Sequence, residues 1–327
     1  MPIKRRTLLS AALVAASPLA AAAAAPNASP GNAIRVGTLR FGSVAWELDV
    51  MRTHGLDAAA GVTVEAVEFA ATQAAQVALQ AGRVDTVVQD WLWVSRQRAM
   101  GADWTLSPTS GALGAVMAPA GSPVQTVADL RGRRLGIAGS PLDKSWLLLR
   151  AYAQRKLDFD LDQAADKSFG PPPLIAEQLT AGRLDAVLTY WPFAARAEAA
   201  GQRRVLAMED AVEGLGIPPG VPFVGWVFSD AFAARSPAAV QAFVKASDRA
   251  RAILSASDAE WERIAPLTGA AGPGELARLR DAYRRGVPER WDLPAVARLY
   301  DVLAEVGGPA LVGPAAHLAP GTLWTPG

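Results

Sequence analysis

Apolar and polar residues alternate along Ile34-Arg35-Val36-Gly37-Thr38-Leu39 and again along Val62-Thr63-Val64-Glu65-Ala66-Val67-Glu68-Phe69. A period of two predicts strands. Between them, residues 45–54 place Trp46, Leu48, Val50 and Met51 at helical spacing. After the second strand, Thr72 is placed to cap a helix over 73–81, and the short apolar run Thr86-Val87-Val88 predicts a buried strand. The order β-α-β-α-β is that of a parallel sheet covered by helices. Residues 104–119 read as strand, loop and strand, and Pro119-Ala120-Gly121-Ser122-Pro123 as the crossing into a second lobe. A helical turn is expected at 126–130 and a new first strand at 135–138. Ser140 followed by Pro141 predicts a helix start, with Ser140 as the N-cap and the helix running to about 154. A strand at 166–169, a helix over 174–181 and a strand at 186–188 complete the second set. After a restart at 205–206 and a Pro/Gly-rich loop at 217–222, residues 223–228 form a strand returning to the first lobe. A long amphipathic helix over 236–255 and three shorter ones at 260–264, 274–283 and 293–306 precede a tail rich in Pro and Gly.

One phrase occurs twice. Residues 81–101 and 181–201 align without a gap and match at Ala81/Ala181, Gly82/Gly182, Arg83/Arg183, Asp85/Asp185, Val87/Val187, Trp91/Trp191, Arg96/Arg196, Ala99/Ala199 and Gly101/Gly201. Two copies a domain-length apart predict two similar lobes and not a solenoid of short repeats. In each copy the glycine can take the left-handed conformation that stops a helix, and the apolar run behind it forms the next strand. The strands end at Gln89-Asp90-Trp91 and Thr189-Tyr190-Trp191. Ligands of open α/β sheets bind beyond the carboxyl ends of the strands, so these polar and aromatic ends could face one another across a cleft. Trp91 and Trp191 equally fit as plugs of their own lobes. Asp90 fits as the cap of a helix over 91–98 and as the receiver of a cationic or hydrogen-bond-donating ligand group, and the two roles can coexist. Trp46 and Trp146 extend the echo back to the first helix of each lobe.

The 327 residues suffice for about two domains. Residues 1–25 carry a basic head, Lys4-Arg5-Arg6, an apolar run and Ala23-Ala24-Ala25 before Pro26, the pattern of a cleaved export signal with a twin-arginine flavour. Without that head the 32 basic residues fall to 29 against 31 acidic, a net charge of −2, and no nucleic-acid partner is expected. The absence of cysteine excludes disulfides, thiolate metal sites, a cysteine nucleophile and a lipid-modified N-terminal cysteine. With only His54 and His317, a multi-histidine metal site or a Ser/His/Asp set is not expected. No cofactor is expected either.

The signal, the strand-loop-helix opening, the paired A-G-R-[VL]-D phrases and above all Val127-Ala128-Asp129-Leu130-Arg131-Gly132-Arg133-Arg134-Leu135-Gly136-Ile137 resemble the periplasmic substrate-binding proteins of ABC importers, of the nitrate/sulfonate/taurine type. The resemblance covers roughly residues 33–255 and implies an α/β, two-lobed fold of periplasmic-binding-protein type II with an interlobe ligand cleft. Turn punctuation near Pro119–Ser122 and Pro222–Gly225, with the paired repeats on either side, divides the chain into one lobe from 33–119 plus 222–327, including the C-terminal helices, and a second from 120–221. The ligand contacts that the resemblance implies, carried to this chain, fall on Arg40, Phe41, Gly42 and Ser43 after the first strand, on Asp90, Trp91, Tyr190 and Trp191 at the strand ends, and on Ser140 and Lys144 at the second lobe's helix start. Trp226 is added as a member of an aromatic-rich cleft with Phe41, Trp91, Tyr190 and Trp191, a composition that favours an organic ligand with a ring, a cation or an extended apolar body. The implied function is capture of a small organic molecule and delivery to an inner-membrane ABC permease by a periplasmic, monomeric, non-enzymatic protein. Asp90 departs from the expectation for a free anion, which it would repel unless Arg40 or Lys144 compensated. Two alternatives stay open: an enzyme of the pyrimidine or quinone-precursor kind, for which Asp90 with Tyr190 is the one acid/base pair, and a periplasmic sensor or chaperone.

Overall fold

The computed structural model describes residues 32–40 and 42–325. The expected signal at 1–25 and Phe41 lie outside the described residues. The first part of the chain runs β1 (Ala33–Leu39), α1 (Val44–Thr53), α2 (Leu56–Ala60), β2 (Thr63–Phe69), α3 (Thr72–Gln80), β3 (Thr86–Asp90), α4 (Trp91–Ala99) and β4 (Trp104–Ser110). It continues through β5 (Ala115–Ala118), β6 (Arg134–Ala138), α5 (Lys144–Leu157), α6 (Leu161–Ala164), β7 (Asp166–Gly170), α7 (Pro172–Thr180), β8 (Ala186–Thr189), α8 (Trp191–Ala199), β9 (Arg203–Ala207) and α9 (Met208–Gly214). It ends with β10 (Val224–Ser229), α10 (Asp230–Arg235), α11 (Pro237–Ala256), α12 (Asp258–Thr268), α13 (Pro273–Arg285), α14 (Leu293–Gly307) and α15 (Pro309–Val312).

Two five-stranded sheets form, in the orders β2-β1-β3-β10-β4 and β7-β6-β8-β5-β9. They correspond strand for strand. The first three strands of each are parallel. The fourth position is filled by an antiparallel strand that has just crossed from the other lobe: β10 between β3 and β4, β5 between β8 and β9. This is the expected α/β, two-lobed architecture.

The repeated phrase builds the same joint twice. Gly82 and Gly182 stop α3 and α7 with φ of 66° and 70°, in the left-handed region open to glycine. Asp85 then accepts from the Arg35 backbone N–H at 2.8 Å and from Nε and Nη2 of the same arginine at 3.0 and 2.8 Å. Asp185 does the same with Arg134, at 2.8, 3.2 and 2.7 Å. Each bidentate pair ties the third strand of its lobe to the first.

Several local expectations shift. The strand 115–118 pairs in the second sheet, so the first crossing is at residues 111–114, upstream of the expected 119–122. An apolar run of this kind fits either sheet, and long-range pairing decides which one it joins. The crossing is held by Gly111 N–H donating to Gly286 O at 2.7 Å and Leu113 N–H donating to Glu209 Oε1 at 2.8 Å. The return crossing ends before Val224 and is pinned by Asp292 N–H on Gly220 O at 2.9 Å. Thr72 is the first residue of α3 and makes no cap; Ala71 holds that place. Ser140 does not cap α5 either. Residues 140–143 close a turn, Asp143 N–H on Ser140 O at 2.9 Å, with Pro141 at the turn position it favours. The helix starts at Lys144, with Asp143 as N-cap accepting from Ser145 N–H at 2.9 Å.

The C-terminal helices serve both lobes. α11 and α12 pack on α1, and α13 packs on α8 of the second lobe. α14 packs on α5 of the second lobe and also on the first lobe, where its Tyr300 meets Trp91 of α4, so the C-terminal helices are shared between the lobes and not confined to the first as expected. The tail then returns to the first sheet, where Leu323 bridges to Leu106 on β4. No helix among the described residues is long and apolar enough to cross a membrane.

Candidate ligand-binding site

A cavity of ≈ 170 Å³ lies between the lobes. Its floor on the first lobe is β1 (Gly37, Leu39) and the end of β3 (Val88, Gln89, Asp90), with Gly42, Ser43 and Val44 where α1 begins. The second lobe supplies Asp143, Lys144 and Ser145 at the start of α5, and Tyr190, Trp191, Pro192 and Phe193 at the start of α8. Ala112, Leu113 and Gly114 of the first crossing close one side. The starts of α1, α5 and α8 and the end of β3, just before α4, line this crevice, so these helices open onto it with their N–H-rich, partially positive ends.

Asp143 organises the second-lobe wall. Its Oδ1 caps α5, and its Oδ2 accepts from Tyr190 Oη–H at 2.9 Å. Gly139, with φ of 100°, makes room for the pair, because a Cβ there would meet the Tyr190 hydroxyl at 2.7 Å and Asp143 Oδ2 at 2.9 Å. Burial, and then the Asp143 charge, push the Tyr190 phenol well above its ordinary range, so it keeps its proton. Lys144 Nζ sits 5.3 Å from the centre of the Tyr190 ring, a cation–π distance. The Ser145 hydroxyl is buried at the cavity wall and has no hydrogen-bond partner among the described residues.

Asp90 faces these groups from the first lobe. Its Oδ1 accepts from Trp93 N–H at 2.8 Å and caps α4. Burial raises its carboxyl above the ordinary aspartate range, against the pull of Lys144 across the cleft. Beside it, Gln89 Oε1 accepts from Gln76 Nε2 at 3.1 Å.

Trp191 reaches further than the cavity. Its ring meets Trp46 at 5.9 Å and Tyr283 at 6.1 Å, both edge-on, and Trp261 closes the box at 5.7 Å from Trp46 and 5.5 Å from Tyr283. A second-lobe tryptophan thus docks into an aromatic box of the first lobe and its C-terminal helices.

Of the residues named from sequence, the structure brings Gly42, Ser43, Asp90, Lys144, Tyr190 and Trp191 to the cavity. It does not bring four others. Arg40 is 72% exposed and bonds Glu68 at 2.8 Å, so its charge is turned to solvent. Trp91 is 1% exposed and packs on Tyr300 at 6.4 Å, plugging the space between α4 and α14. Trp226 is fully buried, donates to Ser247 Oγ at 2.8 Å and packs on Phe243. Ser140 sits in the turn before α5, its Oγ accepting from Leu142 N–H at 3.3 Å. Sequence reasoning missed Asp143, Ser145, Gln89, Phe193 and the crossing residues. The Asp-x-Ser spacing at 143–145 is a cap signal that could have displaced Ser140.

Among the described residues no three His, Cys, Asp or Glu side chains are grouped to hold a metal. The model of the family described as NMT1/THI5 like matches residues 48–260, well over half of the chain. The chain belongs to the NMT1/THI5-like family.

Solved structures place the NMT1/THI5-like chain among two-lobed proteins. The alkanesulfonate-binding protein SsuA from Xanthomonas axonopodis pv. citri, bound to MOPS, superposes with a TM-score of 0.71 at 19% identity, over 91% of this chain and 99% of that one. The periplasmic aliphatic sulphonate-binding protein SsuA from Escherichia coli gives 0.71 at 20% identity, over 91% and 94%. The desulfurization enzyme DSZB gives 0.53 at 18% identity, over 87% and 97%. No curated protein sequence matches. The fold of the nitrate/sulfonate/taurine-type substrate-binding proteins, read from the 127–137 motif and the paired phrases, is therefore present, and that fold also houses an enzyme.

Proposed function

We propose that the protein is an extracytoplasmic solute-binding protein. It captures a small organic molecule between its lobes and delivers it, as a monomer, to the permease of an ABC importer after export on residues 1–25. The observation that carries this reading is a polar and aromatic cavity whose walls come from both lobes, with an unpaired buried hydroxyl, Ser145, left for a ligand. Two crossings, at residues 111–114 and 215–223, join the sheets; closing the lobes over a molecule hinges there and also shifts the C-terminal helices that pack on both lobes. The likeness to two SsuA proteins supports the reading at the level of fold.

The test is mass spectrometry of molecules released from protein purified without refolding. The released compound, added back to the emptied protein, should quench or shift tryptophan fluorescence through Trp191 and be recovered unchanged. Protein that carries nothing, and whose fluorescence no candidate solute moves, would sink the reading.

The enzyme alternative is favoured by one observation, the Asp90, Asp143 and Tyr190 cluster in a fold shared with DSZB. A phenol held well above its ordinary range is no base or nucleophile near neutral pH. In this reading Tyr190 donates a hydrogen bond and orients Asp143. Conversion of the recovered compound over time would favour the enzyme instead.

A further inference from the structure

Resting on the solute-binding reading, the cavity wall itself narrows the class of ligand. Its charged groups are Asp90, Asp143 and Lys144. Two carboxylates against one ammonium leave the wall at −1. Arg40, the other cation placed here by sequence, is bound to Glu68 in solvent. Arg96 is held behind the wall on Leu311 O. Both oxygens of Asp143 are taken, one by Ser145 N–H and one by Tyr190 Oη–H. Asp90 spends Oδ1 on Trp93 N–H. Its Oδ2 enters no hydrogen bond among the described residues, and the buried Ser145 hydroxyl, which also lines the cavity, has no partner among them either.

A carboxylate oxygen at a cavity wall with no protein donor is free to accept from a donor on a ligand. An oxyanion in the same space would meet two carboxylates against Lys144 and the helix starts, of which those of α4 and α5 are already capped by Asp90 and Asp143, and like charges brought together cost binding. Size sets the other bound. A cavity of about 150 Å³ holds one benzene molecule, and this one is ≈ 170 Å³. Tyr190, Trp191 and Phe193 supply flat walls. We propose that the ligand is a molecule about one ring in size, of charge zero or +1, that donates an N–H to Asp90 and accepts from the Ser145 hydroxyl, and that the site rejects free oxyanions, sulfonates included.

The test uses three probes of matched size on the mature protein at low salt: benzylammonium, benzamide and benzenesulfonate, by equilibrium dialysis. At least one N–H probe should bind about tenfold or more tightly than benzenesulfonate. Preference for benzylammonium assigns charge +1 to the ligand, and preference for benzamide assigns zero. Asp90→Asn keeps an N-cap side chain for α4 and should erase the margin. Lys144→Gln removes the one cation of the wall and should weaken benzenesulfonate more than the N–H probes, widening the margin. Benzenesulfonate binding as tightly as the N–H probes, or a margin that survives Asp90→Asn, overturns the proposal while leaving the solute-binding reading in place. Binding of none of the three also overturns it, and if the purified protein then releases no small molecule, both fall together. Should Asp90→Asn not fold, Lys144→Gln decides, since a margin over benzenesulfonate that narrows there overturns the proposal.

Discussion

Arg96 and Arg196 occupy matching places in the two repeats, and each reaches backbone carbonyls at the end of a helix from the C-terminal part of the chain. Arg96 Nη2 donates to Leu311 O in α15. Arg196 donates from Nη2 to Thr268 O at 2.6 Å and from Nη1 to Gly269 O at 3.4 Å, at the end of α12, and also pairs with Glu275. The tryptophan that opens each helix follows the same rule, Trp91 meeting Tyr300 and Trp191 meeting Tyr283. The repeat therefore encodes a docking face. Each lobe's α4 or α8 seats its aromatic on a tyrosine and its arginine on a helix end, where unsatisfied carbonyls favour a cation.

Arg96→Ala and Arg196→Ala should each lower stability by about 1.5–3 kcal/mol, the range for hydrogen bonds to a charged group. The docking sites are separate, so the double variant should cost close to the sum. Urea unfolding of the three variants measures this. A loss within error for both single variants would show that the repeat arginines do not dock the helices.

The two tryptophans should part company. Trp91→Ala removes a ring buried away from the cavity and should cost about 3–5 kcal/mol of stability, with ligand affinity of the remaining folded protein little changed. Trp191→Ala opens one cavity wall and the aromatic box, so affinity should fall more than stability. Chemical unfolding paired with titration of the recovered ligand separates the two. Equal effects of both changes on affinity would contradict the placement of Trp91.

Acid should loosen the second lobe through Asp185. The Arg134 side chain, hydrogen-bonded to it, holds this carboxyl below its ordinary value of 3.8. The folded state binds the proton less readily than the unfolded chain does, so the stabilisation is complete above pH 3.8. It is lost as pH falls below 3.8 through the depressed folded-state value. Asp185→Asn should flatten the acid limb of the stability profile in that window and lower stability at neutral pH. An acid limb of unchanged slope would contradict the pairing.

Gly114 should tolerate no side chain. A Cβ there would lie 1.5 Å from Thr189 O, where the first crossing runs against the end of β8. Gly114→Ala must push that strand end, and Tyr190 with it, at a cost of about 1–3 kcal/mol or more. Gly121→Ala, where a Cβ meets nothing within 4 Å, is the control and should unfold like the unsubstituted protein. Similar unfolding midpoints for the two variants would show that the crossing yields freely.

Local pattern carried the order of elements, the two-lobed repeat and the strand ends that face the cleft, because periodicity, helix-stopping glycines and caps act within a few residues. Asp90 as a cap and Tyr190 at a strand end were legible for that reason. The sheet that residues 115–118 join was not, since an apolar run pairs wherever an edge is open. Nor was the direction each repeated tryptophan faces. Trp91 and Trp191 stand at matching positions of the two repeats, yet α14 covers the first while the second is left half-buried between the cavity and Tyr283. Arg40 fell away from the site because Glu68, on the neighbouring strand, lay within reach. Asp143 entered it because the turn at 140–143 moved the helix start downstream. These outcomes depend on contacts between residues far apart in the chain, and only packing of the two lobes and the C-terminal helices decides them.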